Sequence, residues 1–320
     1  MRSCARFQIV VVVVGLLGTV LAAEQPASVP AGAATKPAAA ETIAQAYPRL
    51  TSGALAAARC GALTDSAVLK AGDLTIKETD LADQIGKAPE GVRDQLKKNA
   101  FFVLEQMATG KLLLAEAKAA LAKDGKDTSK LTERELLDGL FARLTADLKV
   151  TDQEVADFHA KNKDMVGGQP LEAVKEAIGK HLLQQKQQET VDKHIQTLGQ
   201  RTVIEVAAPW LKRQAELAMD NPVDKLRASG KPSLVDFGSK GCIPCDKLAP
   251  ILETLKTKYN GKANVVFVSV REEQILASRY GIQSIPVQIF FDASGKEVFR
   301  HTGFWPQEEL EKKLAEIGVK

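Results

Sequence analysis

Apolar residues along the chain keep two different periods, and the change from one to the other divides it. From about 64 to 215 the period is helical. Leu96, Val103, Met107 and Leu114 recur at sevens and fours and fall on one helix face. Val174, Ile178 and Leu182 repeat the pattern, as do Val191, Ile195 and Leu198. Val68–Ile76 predicts one short strand, and Thr202–Val206 alternates as another. Thr75 followed by Glu78, and Thr151 followed by Glu154, are capping-box patterns that mark helix starts. Between 183 and 190 the sequence is nearly all polar and rich in Gln, which predicts a helix solvated for two turns, bridging between subdomains. No repeat of fixed period is visible.

Ala208-Pro209, Asn221-Pro222 and Gly230-Lys231-Pro232 punctuate the stretch 207–231, and the domain boundary is placed near 218. Beyond it strands and helices alternate. Leu234–Phe237 reads as a short apolar strand, and Leu248, Ile251, Leu252, Leu255 and Tyr259 form a helical stripe. Asn264–Val270 is a Val-rich strand and Glu272–Tyr280 a helix. Val287–Phe291 and Glu297–His301 are strands joined by the hairpin signal Ala293-Ser294-Gly295-Lys296. Pro306 opens a last helix, with Glu308 and Glu309 in its first turn. The expected fold class is α+β in two domains: a mostly helical one, then an α/β one with a mixed central sheet flanked by helices.

The first residues follow neither pattern. Arg2 and Arg6 precede an apolar run from Phe7 to Leu21, and Val20 and Ala22 form a small-residue cleavage site. This is the arrangement of a secretory signal peptide. The run is about 15 residues, short of the roughly 20 that span a bilayer. Residues 24–46 are rich in Ala and Pro and predict a disordered linker. The expected organisation is a signal peptide over 1–23, the linker over 24–46, a helical domain over 47–217 and an α/β domain over 218–320. The 320 residues suit two cores of ordinary size. Net charge is only +3, with two of the positive charges in the first ten residues, so a nucleic-acid partner is not expected.

Of four cysteines, Cys4 goes with the signal peptide, and three remain, too few for a disulfide-stapled scaffold. Cys60 stands alone, as a quiet residue in a loop or packed patch, or as one half of an intermolecular disulfide. Cys242-Ile243-Pro244-Cys245 sits where a strand hands over to a helix. Free N–H groups and the positive end of the helix dipole favour a thiolate there, so such a cysteine titrates well below its ordinary value. One turn of helix brings the second sulfur within reach of a mixed disulfide formed by the first. Cys242 is the candidate nucleophile and Cys245 the resolving residue. A C-x-x-C is also a zinc half-site, but the histidines at 159, 181, 194 and 301 are scattered and supply no partner pair. A structural disulfide on a binding module is the other alternative.

Several motifs in order carry a resemblance to the thioredoxin family over about 233–318. Ser233-Leu234-Val235-Asp236-Phe237 resembles its first core strand, Pro250 the proline of the helix after the cysteines, Tyr280-Gly281-Ile282-Gln283-Ser284-Ile285-Pro286 the segment leading to its cis-proline, and Gly303 the glycine after its last strand. The resemblance implies that Cys242 attacks and Cys245 resolves. It implies that Pro286 is cis and, with Ile285, Ile243 and Pro244, shapes the substrate groove. It further implies that Asp236 lies buried behind Cys245 as a proton acceptor. Gly241 stands where the family usually has Trp, Ile-Pro stands between the cysteines in place of Gly-Pro, and Phe267 occupies the position that often carries a lysine near the buried acid. Phe304 and Trp305 read either as an aromatic wall of the groove or as core.

The helical half resembles the N-terminal domain of SurA-type periplasmic chaperones and parvulin-type prolyl isomerases. Val68–Ile76 resembles its opening strand and turn, the helix with Leu112, Leu113 and Leu114 its long helix, Thr151–Val155 the start of a further helix, and Leu171–Leu198 the closing one. Only Met165–Pro170 stands where the isomerases insert a catalytic domain, so no isomerase activity is expected. The expectation is a periplasmic or otherwise extracytoplasmic thiol–disulfide oxidoreductase needing no cofactor or metal. Its partners are protein dithiols or disulfides and, by resemblance, a membrane electron carrier. The alternative is a holdase-like chaperone whose second domain is redox-inactive.

Overall fold

The computed structural model of the chain describes residues 41–320 apart from positions 48, 49, 52, 65, 126, 164 and 165. The expected signal peptide, with Cys4, and the linker up to residue 40 lie outside the described residues. The linker's expected end at 46 is corrected. Helix α1 (Ile43–Ala46) is capped reciprocally by Thr42 and Gln45, and Ile43 is fully buried in the first core. An Ile beside a capping box gave α1 a local reason to form inside an Ala/Pro-rich stretch.

The first unit continues with β1 (Arg59–Gly61), β2 (Ala67–Ala71), β3 (Leu74–Lys77), α2 (Glu78–Gly86), α3 (Glu90–Lys98) and α4 (Ala100–Lys123). It closes with α5 (Glu133–Thr145), α6 (Asp152–Lys161), α7 (Leu171–Arg201), β4 (Glu205–Ala207) and α8 (Ala208–Met219). The sheet order is β1-β4-β2-β3. The single strand expected over 68–76 is two strands, folded back at Gly72, whose φ of 58° is open to glycine at little cost. Thr75 pairs with Lys70 in that hairpin and so caps nothing; α2 starts instead at Glu78, with Asp80 accepting from the Lys77 N–H at 2.8 Å. Leu96 does not share a helix with Val103. Asn99 breaks the run at φ −115°, its side chain donating back to the Gln95 carbonyl. Of the two readings of Cys60, the structure has the packed patch and not the loop. Cys60 pairs with Val206 in β1 and packs partly buried on the core, where burial raises its thiol pKa.

Two cores share α4. Phe101 and Leu104 pack with Leu69, Ile76, Val206 and Trp210, while Leu113, Ala117 and Leu121 pack with Leu136 and Leu140 of α5 and Leu198 of α7. The polar stretch lies within α7, one unbroken helix of 31 residues, and Lys186 ties it to Glu154 of α6. Gly199 lets α7 approach the short turn at Ala54–Ala57: a Cβ there would lie 2.0 Å from the Ala54 carbonyl oxygen.

The second unit runs α9 (Pro222–Arg227), β5 (Ser233–Gly238), α10 (Ile243–Lys258), β6 (Asn264–Ser269), α11 (Gln274–Arg279), β7 (Val287–Phe291), β8 (Glu297–Thr302) and α12 (Gln307–Glu316). Its sheet has the order β6-β5-β7-β8, with β5 parallel to β6 and antiparallel to β7, and β7 antiparallel to β8. Strand alternation sends Leu234 and Phe290 toward α10 and α12, and Val235, Phe237 and Ile289 toward α9 and α11.

Polar groups join the two units. The Gln95 amide of α3 donates to the Glu272 carbonyl (2.6 Å) and accepts from the Ile275 N–H (3.2 Å). Arg279 donates to Asn99 Oδ1, to the Ala218 carbonyl and to Asp224 Oδ2 at 3.2, 2.8 and 3.1 Å. Asp224 is buried and also accepts from Asn221 and Tyr280. Removing one partner of such a buried pair leaves its charge poorly compensated. Arg279→Met is therefore expected to lower stability by about 3 kcal/mol, read as a lower urea midpoint in equilibrium unfolding.

Candidate redox site

Residues 239–242 connect β5 to α10, and Cys242 is the N-cap of that helix. Gly241, at φ 81°, makes the turn, and its N–H donates to Asp246 Oδ1. Cys242 and Cys245 are joined as a disulfide, with Cα atoms 5.2 Å apart. Cys242 is half-buried and Cys245 buried, so Cys242 is the more accessible residue of the pair. Ile243 between them is 68% exposed, and Pro244, at the start of the helix, is half-buried.

Phe237 pairs with Val287 at the end of the β5–β7 ladder, which brings Pro286 to the same edge of the sheet as the cysteine turn. The Ile285–Pro286 peptide is cis, and the Pro286 carbonyl accepts from the Gly303 N–H at 2.8 Å. Ile285 packs partly buried against the α9/α11 core. The segment is anchored at Tyr280: its hydroxyl donates to Asp224 Oδ1 at 2.9 Å, and Arg300 holds its carbonyl at 2.7 Å. Trp305 does not wall the groove. It stacks on Phe299 and His301 and meets Phe290 edge-on, inside the α10/α12 core, against which Phe304 also packs.

Asp236 is fully buried in β5. Its neighbours in register are Phe267 on β6 and Gln288 on β7. A Cβ placed on Gly238 would lie 3.4 Å from both Asp236 Oδ2 and the Cys245 Cβ, and 2.9 Å from the Phe267 ring. Carboxyl, resolving cysteine and aromatic ring thus meet around one glycine. Gln288 Nε2 donates to Asp236 Oδ1 at 2.8 Å, while Oδ2 has no hydrogen-bond partner among the described residues. Burial pushes the carboxyl up to about 6, and the Gln288 hydrogen bond opposes that rise. Sequence reasoning passed over Gln288. The available signal was a lone amide at an inward position of Val-Gln-Ile-Phe-Phe. Among the described residues no group of three or more His, Cys, Asp or Glu side chains is placed to hold a metal ion.

A thioredoxin-like domain model matches residues 219–318. A thioredoxin of Alicyclobacillus acidocaldarius subsp. acidocaldarius is 39% identical over 87 residues, covering 27% of this chain and 82% of that protein. The chain belongs to the thioredoxin family. A thioredoxin of Staphylococcus aureus is 41% identical over 81 residues, covering 25% of this chain and 77% of that protein. Among solved structures, chloroplastic thioredoxin z matches at 27% identity, with 30% of this chain, 85% of that chain and a TM-score of 0.27. The matched domain is the second unit, and the two bacterial thioredoxins place this thioredoxin-family chain, at a coarse level, among the thiol–disulfide oxidoreductases.

The raised Asp236 pKa has a consequence for stability. Between the ordinary value of 3.8 and about 6 the folded protein keeps a proton that the unfolded chain has released, so stability falls as pH rises through that window. Asp236→Asn removes the buried charge. It is expected to stabilise the protein at pH 7.5 by up to about 3 kcal/mol and to confer no gain below pH 3.8, as read from urea unfolding at both pH values.

Proposed function

We propose that this chain is an extracytoplasmic thiol–disulfide oxidoreductase acting on protein substrates, with its helical unit as a chaperone-like docking platform. The observation that carries the reading is the asymmetry of the pair. Cys242 caps α10 and reaches solvent, and Cys245 is buried over a carboxyl that burial holds near 6. A thiolate at Cys242 attacks a substrate disulfide and forms a mixed disulfide. Cys245 then gives its proton to Asp236 and its sulfur attacks Cys242, releasing the substrate as a dithiol and closing the pair. Run backwards, the same steps oxidise a substrate. Exposed Ile243, half-buried Pro244 and Ile285, and the buried cis-Pro286 at their edge form the surface that receives substrate backbone. A second dithiol protein, a membrane electron carrier by family resemblance, resets the pair.

The position of the helical unit supports the docking role. β5 and β6 are parallel, and Gly238 pairs with Ser269, so residues 270–274 leave the sheet at the same edge as the cysteine turn. Gln95 of α3 binds there. The first-unit fold and the residues before 41 bear on the chaperone and export parts of the proposal, which rest on the sequence patterns.

Equilibration of the mature protein against glutathione buffers, with mass spectrometry of the Cys242–Cys245 pair, tests the reading. A reversible two-electron transition is expected. A midpoint near roughly −270 mV assigns a reductase, and one near roughly −120 to −180 mV an oxidase or isomerase. Cys242→Ser should abolish exchange with protein disulfides. A pair that never opens under these buffers refutes the proposal and leaves a binding module.

A further inference from the structure

We propose that Gln288 is a positioning residue for this exchange: its amide holds the Asp236 carboxyl by Oδ1 so that Oδ2 is the oxygen that takes the Cys245 proton. The inference rests on the exchange reading above and adds a residue that neither the cysteine motif nor the family resemblance points to.

Gln288 is fully buried in a strand whose other members, Val287, Ile289, Phe290 and Phe291, are all buried and apolar. An apolar side chain would pack there without the cost of desolvating an amide. The amide uses one hydrogen on Asp236 Oδ1 at 2.8 Å, and its own Oε1 is buried with no partner among the described residues. It is the one hydrogen-bond donor to Asp236 among the described residues. The remaining oxygen, Oδ2, lies on the Gly238 side, where the Cys245 Cβ also approaches.

The elements around Asp236 present few charges. From α10 the titratable neighbour is Cys245, and from β8, one strand beyond Gln288, it is His301, paired with Gln288 in register. β6 presents Phe267, which carries no charge. His301 is itself held below the ordinary histidine range by burial and stacks on Trp305. An amide in this setting differs from a cation in one respect that matters for catalysis. A cation would hold the carboxyl ionised. A neutral donor orients it and favours the ionised form only modestly, so Asp236 can gain and lose a proton in each cycle.

The balanced step starts from the mixed disulfide between Cys242 Sγ and a substrate sulfur. The Cys245 proton passes to Asp236 Oδ2. The Cys245 sulfur bonds to Cys242 Sγ, the bond from Cys242 to the substrate sulfur breaks, and its electron pair leaves on the substrate thiolate. Asp236 then releases the proton to solvent.

The test follows that step in the full mature chain. Reduced protein is mixed with glutathione disulfide, quenched with acid, and the Cys242–glutathione mixed disulfide is followed by mass spectrometry from pH 5 to 9. In the unsubstituted protein its decay should show an acid limb that Asp236→Asn removes. Gln288→Met and Gln288→Leu, two apolar replacements in an apolar strand, should each move that limb up by about one pH unit. Decay then slows about tenfold below the limb and recovers at high pH. Neither should have an effect on the Asp236→Asn background. An unmoved limb, a loss equal at every pH, or an equal loss on that background overturns the positioning role while leaving exchange intact. No mixed disulfide in the unsubstituted protein overturns the exchange reading, and the positioning role with it.

Discussion

A buried carboxylate that ties together three parts of the chain is the interaction on which the architecture turns. Asp224 is out of contact with water, and a carboxylate in that position persists only if its oxygens are hydrogen-bonded and its charge is matched. Asn221, Arg279 and Tyr280 hydrogen-bond to it, and Arg227 lies 3.5 Å away. Each donor comes with a consequence. Asn221 caps α9, Arg279 reaches on to Asn99 and Ala218 of the first unit, and Tyr280 begins the segment that ends at Pro286. One charge therefore sets both the joint between the units and a wall of the redox site.

The second unit contains another buried aspartate, treated in the opposite way. Among the described residues Asp236 has one neutral donor and no ion-pair partner, and an aromatic ring closes one side. Asp224 is surrounded by hydrogen-bond donors and by the Arg279 guanidinium, whereas Asp236 is surrounded so that its charge is barely supported. The contrast is that of two carboxyls assigned different work by environment alone. The polar partners at Asp224 hold the joint, and in the proposed mechanism the scarcity of partners at Asp236 is what would suit it to proton transfer.

The second unit was largely legible because its signals are local. Alternating apolar residues, the Ser294-Gly295 turn and Pro306 each fix an element without reference to the rest of the chain, and the strands and helices of this unit fall where those signals put them. The first unit was less so. Gly72-Asp73 turns a hairpin that a run of apolar residues concealed, and Asn99 breaks a stripe that looked continuous because Leu96 happens to keep the register. The row that joins Asp236, Gln288 and His301 was not legible at all. It exists only through pairing of β5, β7 and β8, and register between distant strands leaves no mark at a single position. The motif disclosed the cysteines; what surrounds them belongs to tertiary structure.

The joint between the units has the same character. α3 buries none of its side chains, and what holds it against α11 is the Gln95 amide together with Arg279 at the end of that helix. Apolar contact would tolerate sliding, because dispersion and hydrophobic burial are not directional. A two-point amide contact and a guanidinium fork tolerate little, because hydrogen bonds weaken steeply when donor and acceptor are misaligned. A joint made this way contributes orientation more than stability. It holds α3 beside the edge that carries the cysteine turn, and under the proposed docking role a polypeptide on the helical unit would meet the pair from one fixed direction. That economy of contact suits a docking platform better than a spacer, for which orientation would have no use.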